Sequence, residues 1–114
     1  MVANPEYIPN RGDVVWLTFD RAQGHEQRGR RPACVLTPQG YNEITGMAIV
    51  CPITSKRKGY PFEVALSLPQ EESAVLVDQL RAIDWRMRSA QYIGRTPLRA
   101  ANEVDALVRT LLKL

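Results

Sequence analysis

The chain has 114 residues, of which 45% are hydrophobic and 24% charged, and its formal net charge is +3. This length fits one domain, which we take to span residues 1–114, and the balance of apolar and charged residues excludes an intrinsically disordered chain. No segment reaches the roughly 18 consecutive apolar residues of a membrane span, and no basic-then-apolar signal opens the chain, so a cytoplasmic protein without membrane contact is expected.

The first half of the chain predicts three strands after a lead-in. Residues 1–11 carry two prolines and no periodic pattern, which is typical of a flexible or loosely attached segment. Runs of β-branched, aromatic and other apolar residues predict the strands Val14–Phe19, Arg31–Leu36 and Met47–Ile53. Pro32 lies near the start of the second, where its missing N–H does least harm, and Pro52 is expected to end the third or to mark a bulge. The third strand is almost entirely apolar and is expected to be buried on both faces.

The middle of the chain predicts shorter elements. Residues 41–46 fit one helical turn or an irregular segment, and residues 69–73 fit an acidic turn. Three further strands are predicted: Phe62–Leu68, Ala74–Val77 and Gln91–Arg95. Residues 78–83 are expected to continue the sheet, and residues 84–88 to form a helical turn.

The C-terminal segment 97–114 gives the clearest helical pattern. Thr96 is expected to cap it, and Pro97 suits the first helical position because the N–H it lacks would have no partner there. Apolar residues recur at three- and four-residue spacings: Leu98, Ala101, Val104, Leu107, Val108, Leu111 and Leu112. This stripe predicts a helix packed on a sheet. Several short strands followed by one helix indicate an α+β domain built on a small curled sheet or barrel.

The cysteines and the histidine argue against a metal site. Cys34 and Cys51 lie within apolar strand-like runs, so buried reduced thiols are expected. Together with one histidine they are too few and too scattered for zinc, and no cofactor is expected.

RNA can be cleaved without a metal because its 2′-hydroxyl is an internal nucleophile, whereas DNA has no such group. If the chain is a nuclease, its composition favours RNA.

The polar loop Asp20–Arg30 and its flanks carry the groups suited to chemistry. Glu26 and Arg31 predict either an ion pair that pins the loop or acid–base work on a phosphodiester, with the carboxylate accepting a 2′-hydroxyl proton and the guanidinium stabilising charge. His25 is a possible proton shuttle, although a lone histidine is more often idle. Thr54 and Ser55 offer hydroxyls that either hold a phosphate oxygen or form a turn.

A second polar loop, Thr54–Pro61, contains three consecutive positive charges at Lys56, Arg57 and Lys58. It fits either a solvated hairpin tip or a phosphate-binding loop. Tyr60 and Phe62 are aromatic residues that can stack on unpaired bases. A place in the core is an equal alternative for Phe62.

Taken in order, several motifs between Arg11 and Arg95 resemble the MazF/PemK toxins of bacterial toxin–antitoxin systems, and MazF in particular. The motifs are Gly12-Asp13-Val14-Val15-Trp16, Gly24-His25-Glu26-Gln27, Arg31-Pro32, Pro52-Ile53-Thr54-Ser55, Lys58-Gly59-Tyr60-Pro61-Phe62-Glu63-Val64, and Asp78-Gln79 with Ile83-Asp84. The resemblance implies an SH3-like antiparallel β-barrel of the Kid/MazF type with a C-terminal α-helix, assembled as a symmetric homodimer.

The resemblance also implies a function. A metal-independent endoribonuclease would cut single-stranded mRNA at a short sequence, leave a 2′,3′-cyclic phosphate and a 5′-hydroxyl, and so inhibit translation and growth. A cognate MazE-like antitoxin would neutralise it by covering the RNA site with an acidic, partly disordered segment. Contact with DNA is expected only through the toxin–antitoxin complex.

Carried onto this sequence, the resemblance implies that Arg31 and Thr54 are catalytic, together with Glu26 and His25 of the loop. Leu76 stands where some relatives have an arginine that acts as an acid, so an acid–base pair of that arginine with Asp78 is not available. The base is therefore expected to be Glu26 or His25, with Asp78 as the third candidate. Further residues expected to contact RNA are Arg28, Ser55, Lys56, Lys58, Tyr60, Phe62, Asp78 and Gln79.

Two other functions are alternatives to RNA cleavage. A non-catalytic SH3-like module would bind RNA or a peptide without cutting it. Inhibition of DNA gyrase, known for unrelated toxins on a similar barrel, finds no support over RNA cleavage in these residues.

Overall fold

The computed structural model describes residues 7–19, 29–69 and 71–114. Their strands are β1 (Asp13–Phe19), β2 (Gly29–Val35), β3 (Met47–Thr54), β4 (Glu63–Leu68), β5 (Glu71–Leu76), β6 (Arg81–Asp84) and β7 (Gln91–Arg95). The helices are α1 (Gln39–Thr45) and α2 (Leu98–Leu112), and a 3₁₀ turn covers Val77–Gln79. The predicted α+β class is confirmed, and five of the predicted strands agree with β1, β2, β3, β4 and β7 to within two residues. No helix in the described ranges is long and apolar enough to cross a membrane.

The strands form one antiparallel sheet that curls around β3. The sheet order is β4-β5-β3-β2-β1-β7, and β6 also pairs with β3. One edge of β3 pairs with β2, whereas the other pairs with β6 over residues 47–50 and with β5 over residues 53–54. Because β3 changes partner along one edge, the sheet bends there, as strands do at the corners of small barrels.

The two faces of β3 contribute to two different hydrophobic clusters. Cys51 and Ile53 pack in the cluster that includes Val104 of α2. Ala48 and Val50 pack in the other cluster, with Trp85. Successive side chains of a strand point to opposite faces, so both faces of this central strand are buried, as predicted.

The two prolines near the centre of the sheet lie inside strands. Pro32 is paired with Trp16 of β1, and Pro52 is paired with Ala33 of β2. The expectation that Pro52 ends or bulges β3 was wrong, because β3 continues to Thr54, and Pro32, expected near the start of its strand, is the fourth residue of β2. The ladder between β2 and β3 stops at the Ala33–Pro52 pair, where a proline on each strand has no N–H to extend it.

Two predictions for the middle of the chain were also wrong. Residues 69–73 do not form an acidic turn, because β5 already begins at Glu71, which pairs with Leu68 across a tight hairpin. Residues 78–83 do not continue as one strand. The 3₁₀ turn closes with a hydrogen bond from the Leu80 N–H to the Val77 oxygen at 3.3 Å, and β6 follows it. The turn separates β5 from β6, which pair with different parts of the same edge of β3.

Helix α2 packs on the sheet, but with only part of its apolar stripe. Ala100 and Val104 are buried, and Leu107 and Val108 are half-buried against the same cluster. Three stripe residues remain 36–76% exposed: Leu98, Leu111 and Leu112. The prediction that the whole stripe covers the sheet is therefore too broad.

The predicted cap of α2 was wrong. Pro97 occupies the capping position, and α2 has no side-chain capping bond. Thr96 is buried instead: its N–H donates to the Gly12 oxygen at 2.7 Å, and its hydroxyl lies 3.4 Å from the Cys34 sulfur. The helix begins one residue later than expected because this threonine fastens β7 to the start of β1.

The segment before β1 is fastened to the domain over residues 7–11, contrary to the loose lead-in expected. The Tyr7 hydroxyl donates to the Asp13 carboxylate. The amide of the fully buried Asn42, on α1, donates to the Pro9 oxygen at 2.8 Å. The helical alternative for residues 41–46 is confirmed by α1, which ends at Gly46 in the left-handed region (φ 73°). Residues 1–6 lie outside the described ranges.

Candidate functional site

Arg31 and Thr54 line one open groove of about 530 Å³. The pairing of the strands explains why they come together. From the Ala33–Pro52 pair, Arg31 lies two residues back along β2 and Thr54 two residues forward along β3. Because the strands are antiparallel, both steps lead in the same direction, to the place where the ladder has ended. The structure brings these two predicted catalytic residues to one surface.

A second groove of about 280 Å³ continues the first. Thr54 and Lys56 line both of them, and the second extends to Lys58, Tyr60 and Gln79. We call the joined surface the basic groove. Its lining residues are Trp16, Arg30, Arg31, Pro32, Ile53, Thr54, Ser55, Lys56, Lys58, Tyr60, Glu63, Leu68, Glu71, Ser73, Leu76 and Gln79.

Positive charge dominates the basic groove. Its four cationic side chains are Arg30, Arg31, Lys56 and Lys58, against the two carboxylates of Glu63 and Glu71. The Glu63 carboxylate accepts hydrogen bonds from the backbone N–H groups of Lys58 and Gly59, both at 3.0 Å, so it braces the loop before β4. A concave surface with this excess of positive charge attracts an anionic ligand.

The Thr54 hydroxyl accepts a hydrogen bond from the backbone two residues further along the chain. The Lys56 N–H donates to the Thr54 oxygen at 3.0 Å, which closes a short turn at the end of β3. With its oxygen accepting this bond, the hydroxyl keeps its proton to donate. The side chain is therefore prepared to donate a hydrogen bond to an anion in the groove.

Arg30 is a groove residue that the sequence reasoning missed. Its guanidinium donates to the Thr18 hydroxyl, to the Ser89 oxygen at 2.9 Å and to the Gln91 side-chain oxygen at 3.0 Å. These bonds hold a positive charge in place beside Arg31. The sequence assigned Arg30 to the loop, whereas β2 already begins at Gly29.

Trp16 was missed as well. It is 37% exposed and lines the groove beside Pro32, its paired residue on β2. The signal was present in the alternation of β1, since Val15 and Leu17 on either side are buried. The position between them must face the other way.

Tyr60, which lines the basic groove, is hydrogen-bonded to Asp78, which is not among the groove's lining residues. The Tyr60 hydroxyl donates to one carboxylate oxygen of Asp78 at 3.0 Å, and this bond raises the pKa of Tyr60. The other Asp78 oxygen is buried and has no partner among the described residues. Leu76 lines the same groove as Thr54 and Tyr60 and contributes an apolar side chain to its wall.

The remaining predicted residues divide into three groups. Ser55 lies in the groove beside Thr54. Phe62 is half-buried, is not among the groove's lining residues and is not part of either hydrophobic cluster, so it fits neither expectation fully. Glu26, His25 and Arg28 fall within 20–28, outside the described residues.

The two cysteines are free and buried, as expected. Burial raises the pKa of both thiols, that of Cys51 to about 12. Over the described ranges, no three histidine, cysteine or acidic side chains cluster as metal ligands would.

Comparison with known proteins gives consistent matches. Residues 10–112 match the family described as PemK-like, MazF-like toxin of type II toxin–antitoxin system. The endoribonuclease toxin MazF of Escherichia coli strain K12 is 42% identical over 106 residues, which are 93% of this chain and 96% of the relative. The endoribonuclease toxin ChpB of the same strain is 39% identical over 117 residues, covering 96% and 95%.

Solved structures agree with the fold described above. The crystal structure of MazF from Deinococcus radiodurans superposes with a TM-score of 0.82 at 45% identity, covering 95% of this chain and 99% of that one. A MazE–MazF crystal structure from the same organism gives 0.84 at 45% identity, covering 95% and 98%. The predicted small curled antiparallel barrel with a C-terminal helix is thereby confirmed.

Proposed function

The chain belongs to the PemK-like, MazF-like toxin family of type II toxin–antitoxin systems, and from this premise we propose that it is an endoribonuclease that cleaves single-stranded RNA. The relatives at 42% and 39% identity are named endoribonuclease toxins. The observation that carries the proposal is the shared position of Arg31 and Thr54 in a groove with an excess of cations. Cleavage of mRNA would inhibit translation and growth, and it would take place in the cytoplasm.

The proposed reaction is attack by a ribose 2′-hydroxyl on the adjacent phosphorus. The new O2′–P bond forms as the bond to the 5′-oxygen breaks, which leaves a 2′,3′-cyclic phosphate and a 5′-hydroxyl. Arg31 stabilises the charge that develops on the phosphate oxygens, and Thr54 donates a hydrogen bond to one of them. The nucleophile is supplied by the RNA, so the reaction needs no metal-bound water.

Removal of the 2′-hydroxyl proton requires an acceptor, which we assign to Glu26 or His25. Asp78 is the weaker alternative because one of its oxygens already accepts the Tyr60 hydroxyl. The leaving 5′-oxygen gains its proton from solvent water, which the open groove admits. Arg31 is a poor donor because a guanidinium has a very high pKa, so we assign it to charge stabilisation.

The other cations and the aromatic residue of the groove serve binding. We assign Arg30, Lys56 and Lys58, which line the groove, to contacts with phosphates on either side of the cleaved bond. Tyr60 is 44% exposed and can stack on a base beyond Thr54. We retain Arg28, Ser55 and Gln79 as further predicted contacts, and drop Phe62 in favour of its place outside the groove.

The experiment that tests this function compares wild-type protein with Arg31→Ala on a long single-stranded RNA in EDTA. The wild type should cut at discrete sites and leave 5′-hydroxyl ends, and the variant should lose cleavage by a factor of about 100 or more. Arg57→Ala is the matched control, because Arg57 lies outside the basic groove and pairs with Glu72 at 3.4 Å. If the wild type leaves RNA intact with and without magnesium, the chain is the binding module considered above.

We further propose a cognate antitoxin as the protein partner. MazE–MazF complexes of Deinococcus radiodurans have been solved for chains 40–45% identical to this one. An acidic, partly disordered segment of such an antitoxin would lie over the basic groove, and DNA would be reached only through that complex. An acidic peptide that blocks the groove should inhibit cleavage in proportion to its occupancy, and inhibition without competition against RNA would contradict this placement.

A homodimer is the proposed assembly. Leu98, Leu111 and Leu112 of α2 are exposed in the single chain, and a small domain gains stability by burying such side chains against a second copy. Light scattering should give twice the chain mass of 12.9 kDa. Leu112→Glu should shift the protein toward monomer, whereas Lys113→Glu should not. A monomeric wild type at micromolar concentration would contradict the proposal.

A further inference from the structure

Ser73 is a buried hydroxyl that the proposed mechanism does not use. It lies on β5, is 1% exposed, and its oxygen has no hydrogen-bond partner among the residues that the structure describes. Nearly all buried polar groups in folded proteins are hydrogen-bonded, so an unsatisfied one requires an explanation. Ser73 also lines the basic groove. A ligand in that groove is therefore a candidate for the missing partner.

The register of the sheet places Ser73 beside the proposed reaction centre. Ala74 is paired with Thr54 of β3, and Ser73 is the preceding residue of the same strand. On its other side Ser73 is paired with Leu66 of β4. Because successive side chains alternate, Ser73 lies on the face of the sheet that carries Ile53 and Trp16, and Thr54 lies on the other face. Side chains of both faces line the groove.

The groove differs in character between its exposed and its buried parts. Arg30 and Lys56 are exposed at its rim, whereas Ile53 and Ser73 are buried at its floor. Trp16 also lines this part of the groove and exposes 37% of its surface. A phosphate would lose its hydration against such apolar side chains, but a nucleobase can stack on an indole ring and place a polar edge against a hydroxyl.

We propose that the floor of the basic groove is a nucleobase-binding subsite, in which one base of the RNA lies against Trp16 and forms a hydrogen bond with the Ser73 hydroxyl. This inference rests on the proposed ribonuclease function and adds a specificity-determining residue to it. A base that offers a matching edge atom satisfies the hydroxyl, whereas one that does not leaves it unpaired in an apolar site. Unpaired polar groups of this kind are an effective source of discrimination.

The test compares Ser73→Ala with wild type after the preferred cleavage site has been mapped by primer extension. Each position flanking the cut is changed to all four bases in a short oligoribonucleotide, and kcat/KM is measured for each. Ser73→Ala should lose about 3- to 10-fold of the discrimination at one position and keep it at the others. The matched control is Ser67→Ala on β4, whose hydroxyl bonds to Glu72 outside the groove. Its base preference should equal that of wild type.

Thermal unfolding separates recognition from a structural role. The Tm of Ser73→Ala should equal or exceed that of wild type, because the hydroxyl has no partner in the free protein. An unchanged base preference, with or without a fall in Tm, would overturn the inference.

Failure of the ribonuclease proposal would look different. If wild-type protein cleaves no RNA, the subsite is judged by fluorescence anisotropy with short single-stranded oligoribonucleotides rich in each of the four bases. Ser73→Ala should then narrow the differences in Kd that wild type shows among them. Equal Kd values for wild type across the four, or differences that the variant retains, would overturn the inference.

Discussion

The Thr54 side chain carries two separable contributions, a methyl group and a hydroxyl. Its oxygen accepts the Lys56 N–H, so its proton is left to be donated to a ligand. Thr54→Ser should retain most activity because it keeps both bonds, whereas Thr54→Val should lower kcat by a factor of about 100 because the donor to the phosphate is lost. Single-turnover cleavage of a defined oligoribonucleotide measures both variants. Equal activity of the serine and valine variants would show that the hydroxyl takes no part in the reaction.

The buried thiols should be unreactive in the native protein. Burial raises the pKa of Cys51 to about 12 and also raises that of Cys34, so at pH 8 almost no thiolate is present to react. Iodoacetamide should label neither cysteine over a time in which the urea-unfolded chain is labelled fully. Rapid labelling of the folded protein at this pH would mean that β2 and β3 open readily.

The same shift makes a prediction for stability against pH. A thiol whose pKa is higher in the folded state stabilises that state fully below the unfolded value of about 8.5. The contribution is lost as the pH rises from there toward 12. The free energy of unfolding of wild type should therefore fall across this range more steeply than that of Cys51→Ala. Parallel pH profiles in urea titrations would contradict the assignment.

Residue identities in the groove were predictable only where chemistry marked them. Arg31 and Thr54 stand out because they are polar residues at strand ends, and resemblance to a family assigned their roles. Trp16 was missed although it alternates with Val15 and Leu17 on β1, whereas Arg30 and Ser73 were missed because each was assigned to a loop or turn and its strand was known only from the pairing. Ser73 in particular was assigned to a turn, so its burial was invisible from the sequence.

The loop between β3 and β4 is the element whose order determines the shape of the groove. It turns at Gly59, which has a φ of 73°, and its backbone N–H groups at Lys58 and Gly59 bond to the Glu63 carboxylate. A carboxylate accepting two successive N–H groups fixes a turn as a cap fixes a helix. These two hydrogen bonds fix the backbone that carries Lys56 and Lys58.

Glu63→Gln should therefore weaken RNA binding although it removes a negative charge from the groove. The amide retains one acceptor oxygen and turns an NH₂ group toward backbone donors, so we expect a loss of about 1 kcal/mol of stability and a higher KM with kcat little changed. Urea unfolding and steady-state cleavage measure the two effects. Glu43→Gln, an exposed acid on α1, is the control for charge alone. A KM lowered equally by both variants would show that charge, and not the turn, decides binding.

Strands and helices were predicted well where one face or both faces are buried. They were predicted poorly where a residue that is typical of turns is paired inside a strand. The apolar run of β3 has no alternative to the sheet centre. Pro32 and Pro52 resemble strand boundaries because a proline ends a ladder of hydrogen bonds. Here they end only the ladder between β2 and β3, while β2 continues to pair with β1 and β3 goes on to pair with β5. The charges of Glu71 and Glu72 suggested a turn, but the hairpin leaves them exposed on a strand. Which strand each of these residues pairs with, and in which register, cannot be obtained from composition.

The curl of the sheet is what makes a binding surface of the molecule. Because β3 changes partner along its edge, the ends of β2, β3 and β5 meet around one opening. The fold class followed from the order of short strands and a final helix, since such a chain has few ways to bury one face of each element. The place of the groove did not follow, because it depends on which strand ends converge.

Charge on this surface predicts how binding responds to salt. Four cations of the described ranges line the groove, and each that neutralises a phosphate of single-stranded RNA releases about 0.7 of a counterion, so log K should fall with log salt with a slope of about −3 from these four. Fluorescence anisotropy with an oligoribonucleotide carrying a 2′-deoxy group at the cleaved position gives K without turnover. Lys56→Ala should reduce the slope by about 0.7, and Arg57→Ala, ion-paired with Glu72, should leave it unchanged. A slope near zero for wild type would mean that the RNA is not held by its phosphates, and that the excess of positive charge in the groove serves another ligand.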